Sequence, residues 1–148
     1  MKIRTSIAAA GAAAVLAGTG ALLLPAVASA HSTAHTLKFT AVSVNSAKFS
    51  KTAAGEVHKD INGAGKIIGF DMIYFQVDPT THKPSGGVTL DTNGGFLYGT
   101  LKFSNNPVQT GTVTGGTGTF KGATGTITAK DLNKSGTRAA ITISYTTP

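Results

Sequence analysis

Asp71 is the residue whose surroundings in the sequence point most directly to chemistry. It lies within Lys66–Val77, which reads KIIGFDMIYFQV. Side chains alternate along a strand, so Asp71 shares one face with Ile67, Gly69, Ile73, Phe75 and Val77. Burial among apolar neighbours raises the pKa of a carboxyl group and suits it to acid–base work. The competing expectation is a carboxylate at a strand end, bonded to a lysine or a hydroxyl. Tyr74 and Tyr98 offer phenols, but a tyrosine in a strand more often packs its ring and leaves its tip wet. The six acids are spread singly, with no paired-carboxylate spacing and no Ser/His/Asp order. Gly116-x-Gly118 resembles the start of a phosphate loop, yet Lys121 stands where a third glycine is needed and no helical pattern follows. A nucleotide role is therefore rejected.

The elements that must position these groups are strands. Gly111–Gly125, GTVTGGTGTFKGATG, alternates small or apolar residues with threonine. Gly115, Gly116 and Gly118, then Gly122 and Gly125, interrupt it as structural turns, so it reads as strand, tight glycine turn, strand. Further strands are expected over 35–44, 66–77, 87–91, 95–103, 108–114, 118–130 and 138–146. Clusters such as Lys83-Pro84-Ser85-Gly86-Gly87 and Asn93-Gly94-Gly95 separate them. Short strands at this spacing indicate an all-β sandwich or barrel, and closure into a barrel removes exposed edges. Lys66–Val77 is apolar on both faces. Its outward stripe of Ile68, Phe70, Met72 and Tyr74 is expected to be covered, by self-association or by a tail.

The first 30 residues read as a signal peptide. Lys2 and Arg4 form a basic n-region, Ile7–Leu24 an apolar h-region, and Ala28-Ser29-Ala30 a small-x-small cleavage site. The protein is expected to be secreted, with a domain over 31–148 that starts at His31 and no membrane segment in its mature form. That mature N-terminal histidine would supply an amine and an imidazole, half of a copper brace that His35, His58 or His82 could complete. The plainer expectation, favoured here, is a frayed terminus with no metal and no cofactor.

Residues 31–148 hold 16 glycines and 21 threonines among 118 positions, a composition that disfavours helix and suits strands. Cysteine is absent, which excludes disulfides, thiol nucleophiles and thiolate metal sites. Eleven basic residues stand against six acidic ones, a net charge of +5. The lysines are scattered, so nucleic-acid binding, which needs a concentrated patch, is not expected.

Val113–Ile127, VTGGTGTFKGATGTI, preceded by Gly94–Phe103, GGFLYGTLKF, resembles the allene-oxide-cyclase-like barrels, whose wider superfamily includes dirigent proteins. Gly65-Lys66-Ile67-Ile68-Gly69 matches the segment entering that family's second long strand. The likeness runs from about His35 to Tyr145. It implies an antiparallel eight-stranded barrel, calycin-like in its closure, with an interior able to hold a small hydrophobic molecule. It also implies that the face carrying Asp71, Ile73 and Phe75 lines that interior, and that homo-oligomers, dimer or trimer, form. The plant cyclases carry a glutamate and an asparagine on their first strand. Leu37–Val44 carries neither. Dirigent proteins use pocket aspartates with arginine, whereas residues 31–148 hold one arginine, Arg138. The leading expectation is therefore binding of a small hydrophobic molecule. A cofactor-free cyclase or isomerase using Asp71 is the alternative, and a packed extracellular structural barrel the third.

Overall fold

A computed structural model describes residues 32–104 and 106–148. The signal peptide expected over 1–30 and His31 lie outside the described residues. Eight strands follow in order: β1 Thr33–Lys48, β2 Ala53–Ile61, β3 Ile67–Val77, β4 Pro84–Thr92, β5 Gly95–Lys102, β6 Val108–Gly116, β7 Thr124–Asp131 and β8 Arg138–Thr147. Each pairs antiparallel with its neighbour in sequence, and β1 pairs with β8 from Thr33↔Thr147 to Val42↔Arg138, which closes the barrel. Every strand thereby has a partner on both sides, so no open sheet edge remains.

The core is the barrel interior. Phe39, Ala41, Leu90, Leu97, Leu101, Val113, Ile127 and Ile143 are buried there. One end is closed by the glycine-rich block, which differs from the expected hairpin. β6 ends at Gly116, a 3-10 turn spans Gly118–Phe120, and β7 begins at Thr124 rather than at residue 118. Thr119 N–H donates to the Gly94 carbonyl at 2.9 Å. The Thr117 hydroxyl oxygen accepts from Phe96 N–H at 3.0 Å. These bonds fold the segment back over the barrel end, and Phe120 packs beside Tyr145 with ring centroids 5.6 Å apart. Gly118 has φ +58°, and a Cβ there would stand 2.2 Å from the Gly94 carbonyl oxygen, so only glycine fits.

Two further differences concern β2 and β3. β2 was not among the expected strands. On β3 the pairing steps from Asp60↔Gly69 to Ile61↔Ile67, which leaves Ile68 as an extra residue. This bulge reverses the alternation at the strand's start. Ile68 packs against the core, while Ile67 is exposed. The outward stripe is therefore Phe70, Met72 and Tyr74 without Ile68, and these three are exposed rather than covered within this chain.

Candidate functional site

β2 brings the chemistry to the interior. Its partners across the ladder are Glu56↔Ile73, His58↔Asp71 and Asp60↔Gly69, so Glu56, His58 and Asp60 share the face that Asp71 and Ile73 occupy on β3. His58, Asp60 and Asp71 are the buried polar or charged groups among the described residues. His58 Nδ1 donates to Asp71 Oδ1 at 2.7 Å. Its Nε2 stands 3.5 Å from Glu56 Oε1, and Glu56 is partly exposed. Asp60 has no accessible surface, and neither carboxyl oxygen finds a hydrogen-bond donor among the described residues.

The electrostatics follow from this packing. Burial alone pushes the His58 imidazole down, but the hydrogen bond and charge of Asp71, with Glu56 behind, outweigh it. His58 therefore holds its proton above the ordinary 6.5. Burial pushes Asp60 up to about 8, and the adjacent Asp71 carboxyl adds to the rise. At neutral pH Asp60 keeps its proton, which it can share with Asp71. The cluster is an imidazole between two carboxyl groups, with the protonated Asp60 beneath. It can both donate and accept a proton without a cofactor.

The rest of the surroundings are apolar. A cavity of about 30 Å³ lies against Asp71, bounded by Phe39, Ile73, Leu97, Ile127 and Ile141. This is space for about one water, so the barrel is nearly filled. Phe120 and Tyr145 close one end. Towards the other, Ile73, Val88 and Ile141 are only half-buried. There the Phe75 and Phe103 rings pack at 4.7 Å, and Phe103 lies in the space that a side chain at Gly86 would fill.

Asp71, Ile73 and Phe75 thus stand on one inward face with the cluster. Gly115, Gly116, Gly118, Gly122 and Gly125 lie elsewhere, at the end of β6, in the plug and at the start of β7. At Gly125 a Cβ would meet the Ser144 carbonyl oxygen at 2.1 Å, so β7 approaches β8 too closely for any side chain. His35 is exposed and stacks on Tyr145 at 4.9 Å, and His82 sits in the β3–β4 turn. Among the described residues no three His, Cys, Asp or Glu side chains are grouped to hold a metal ion. Glu56 and Asp60 went unnoticed in the sequence, and His58 figured there only as a possible metal ligand. The one signal was their i, i+2 spacing.

The architecture is the closed, eight-stranded antiparallel barrel that the resemblance to allene-oxide-cyclase-like barrels implies. Among solved structures, a pyocyanin demethylase superposes with a TM-score of 0.59 and 19% identity, covering 75% of this chain and 99% of that one. A pterocarpan synthase dirigent protein superposes with a TM-score of 0.48 and 16% identity, covering 78% of this chain and 84% of that one. No protein-family model matches the sequence, and no curated protein matches it significantly. At these identities the likeness is one of fold, and the activities in those names stay with those proteins.

Proposed function

We propose that this chain is an exported barrel that binds a small hydrophobic molecule at its unplugged end. The ring system enters beneath Phe75 and Phe103, against Ile73, and its polar end meets His58 and Asp71. The observation that carries this reading is the Glu56–His58–Asp71–Asp60 cluster inside an otherwise apolar barrel. Ion pairs in a core are often no more stabilising than hydrophobic residues of equal volume. A barrel that merely needed filling would have used Leu or Val at these positions. The two rings must part to admit a ligand, because the cavity of about 30 Å³ is too small as it stands.

An environment-sensitive naphthalene probe tests this. It is expected to bind one per chain, and Ile73→Trp, which fills the space beneath the rings, is expected to abolish binding while the variant stays folded. Equal binding by both proteins would put the probe elsewhere and end this reading. No binding by either would favour the packed structural barrel, which the small cavity supports. Proton transfer on the ligand is the catalytic form of the proposal, and there Asp71→Asn should retain binding while losing turnover by roughly 100-fold or more.

We also propose that a second copy of the chain covers the outer face of β3–β5. Phe70, Met72, Tyr74, Phe96 and Tyr98 are exposed on it, with Phe49 against Tyr74 at its edge. Phe96 and Tyr98 lie parallel within 7°. Six half-exposed side chains of this size present about 600 Å². β4 runs between the two groups and sets Asp91 between Phe70 and Phe96, yet the apolar total matches the largest patches on soluble monomers and approaches the roughly 800 Å² that each partner buries in a standard interface. Sedimentation is expected to show an oligomer that Phe70→Lys dissociates. A wild-type monomer at tens of micromolar would refute it.

A further inference from the structure

The chemistry of the ligand can be read from the charges that face it. The inward groups that titrate are Glu56, His58 and Asp60 from β2, Asp71 from β3 and, at the plugged end, the Tyr145 phenol from β8. The cavity wall supplied by β1, β4, β5, β7 and β8 is Phe39, Val88, Leu90, Leu97, Ile127 and Ile141 among other apolar residues. Every lysine and the arginine among the described residues is exposed, apart from half-buried Lys59. Lys59 pairs across the ladder with exposed Phe70 and so lies on the outer face. The interior therefore holds three carboxyl groups and one imidazole, inside a protein whose surface is basic.

An acidic group of residues is not in itself a site, but Asp60 adds an independent observation. It is fully buried beside Asp71, and both of its oxygens lack a donor among the described residues. Its own proton can go to Asp71, which leaves its other oxygen a buried acceptor without a donor, and that cost falls when a donor arrives. The residues of the facing strands that line the cavity supply none, since they are hydrocarbon. We propose that the unplugged end, a cup running from Phe75 in to Asp60, selects hydrophobic ligands carrying a cationic nitrogen, which Glu56, Asp71 and the open oxygen of Asp60 hold while the apolar part lies beneath Phe75 and Phe103. This rests on the reading of the unplugged end as a ligand site and names the class of ligand that site takes.

The selection has a physical basis in both directions. A carboxylate ligand would face Glu56 and Asp71 with His58 already committed between them. A neutral ligand would leave the excess negative charge uncompensated in a medium of low dielectric. A cation compensates it, and its arrival makes Asp60 and His58 easier to deprotonate or share. Cation binding should accordingly release protons, so its affinity rises with pH through the range in which these two groups titrate.

Three ring-matched probes test the proposal: 1-naphthylmethylammonium, 1-naphthylmethanol and 1-naphthoate, titrated calorimetrically at 0.15 M salt. There the field of the surface lysines is largely screened. The ammonium is expected to bind at least 10-fold more tightly than the alcohol, and the carboxylate more weakly than both. Its affinity should rise between pH 6 and pH 8.5 while that of the alcohol stays flat. Glu56→Gln and Asp71→Asn should each reduce the preference for the ammonium over the alcohol to within about 3-fold. Glu56 is partly exposed, so Glu56→Gln carries the test should Asp71→Asn not fold. An alcohol or carboxylate that binds as tightly as the ammonium would overturn the ligand class and leave the cup as a binding site. So would a preference that survives in both variants. If Ile73→Trp changes the binding of none of the three, the cup itself is not the site and both readings fall.

Discussion

Gly118→Val is expected to cost roughly 3 kcal/mol or more, a large part of the stability of a domain this size. Two causes add. At φ +58° a β-branched residue is strained in its own backbone. Its Cβ would also press on the Gly94 carbonyl, 2.2 Å away, which holds Thr119 N–H and so anchors the plug. Relief requires the plug to lift, and that exposes Phe120. Gly122→Ala provides the comparison. Its φ is +73°, but a Cβ there meets only the Pro148 ring at the chain end, so a cost near 1 kcal/mol is expected. Urea unfolding of both variants measures the difference. A Gly118→Val midpoint equal to wild type would show that the plug does not close the barrel.

Asp60→Asn should make the protein more stable, and increasingly so with pH. In the unfolded chain this carboxyl titrates near 3.8, whereas in the fold it holds its proton up to about 8. Between those values the native state binds more protons than the unfolded state. Wild-type stability therefore falls as pH rises across that window. Below pH 4 the variant should gain little, and above pH 8 the gain should reach several kcal/mol, with about 6 kcal/mol as the ceiling. The amide can also donate to Asp71, in place of the acid proton. Denaturation midpoints at pH 4, 6 and 8.5 test this. A constant difference across the three would mean that Asp60 ionises freely in the folded protein. His58 adds a slope of the same sign. Its raised pKa stabilises the fold below pH 6.5, and that contribution disappears as pH climbs past its folded value.

The barrel was legible because most of its strands obey one rule, apolar inward and polar outward. Alternation alone placed Asp71, Ile73 and Phe75 on one face, and the structure keeps them there. β2 breaks the rule. Its inward positions are Glu56, His58 and Asp60, while apolar Val57 lies on the other face, so a search for hydrophobic periodicity sees no strand in AAGEVHKDI. The segment that carries the candidate chemistry was hidden by that chemistry. Ile68 failed for a different reason. A bulge shifts phase without changing composition, and its position is set by the partner strand. In the glycine block the sequence marked a turn but not its size. Phe120, which anchors the longer connection, reads as an ordinary strand residue.

The seam between β1 and β8 has a consequence for how this protein comes into being. His35 bonds to Thr147, 112 positions away, and the pairing around them is the last that the chain can make. No strand order closes the ring before β8 has been synthesised. Until then β1 presents an unmatched edge beside apolar side chains. Topologies dominated by such distant pairings acquire their structure slowly. The ring therefore closes only when the whole length from β1 to β8 is available to fold.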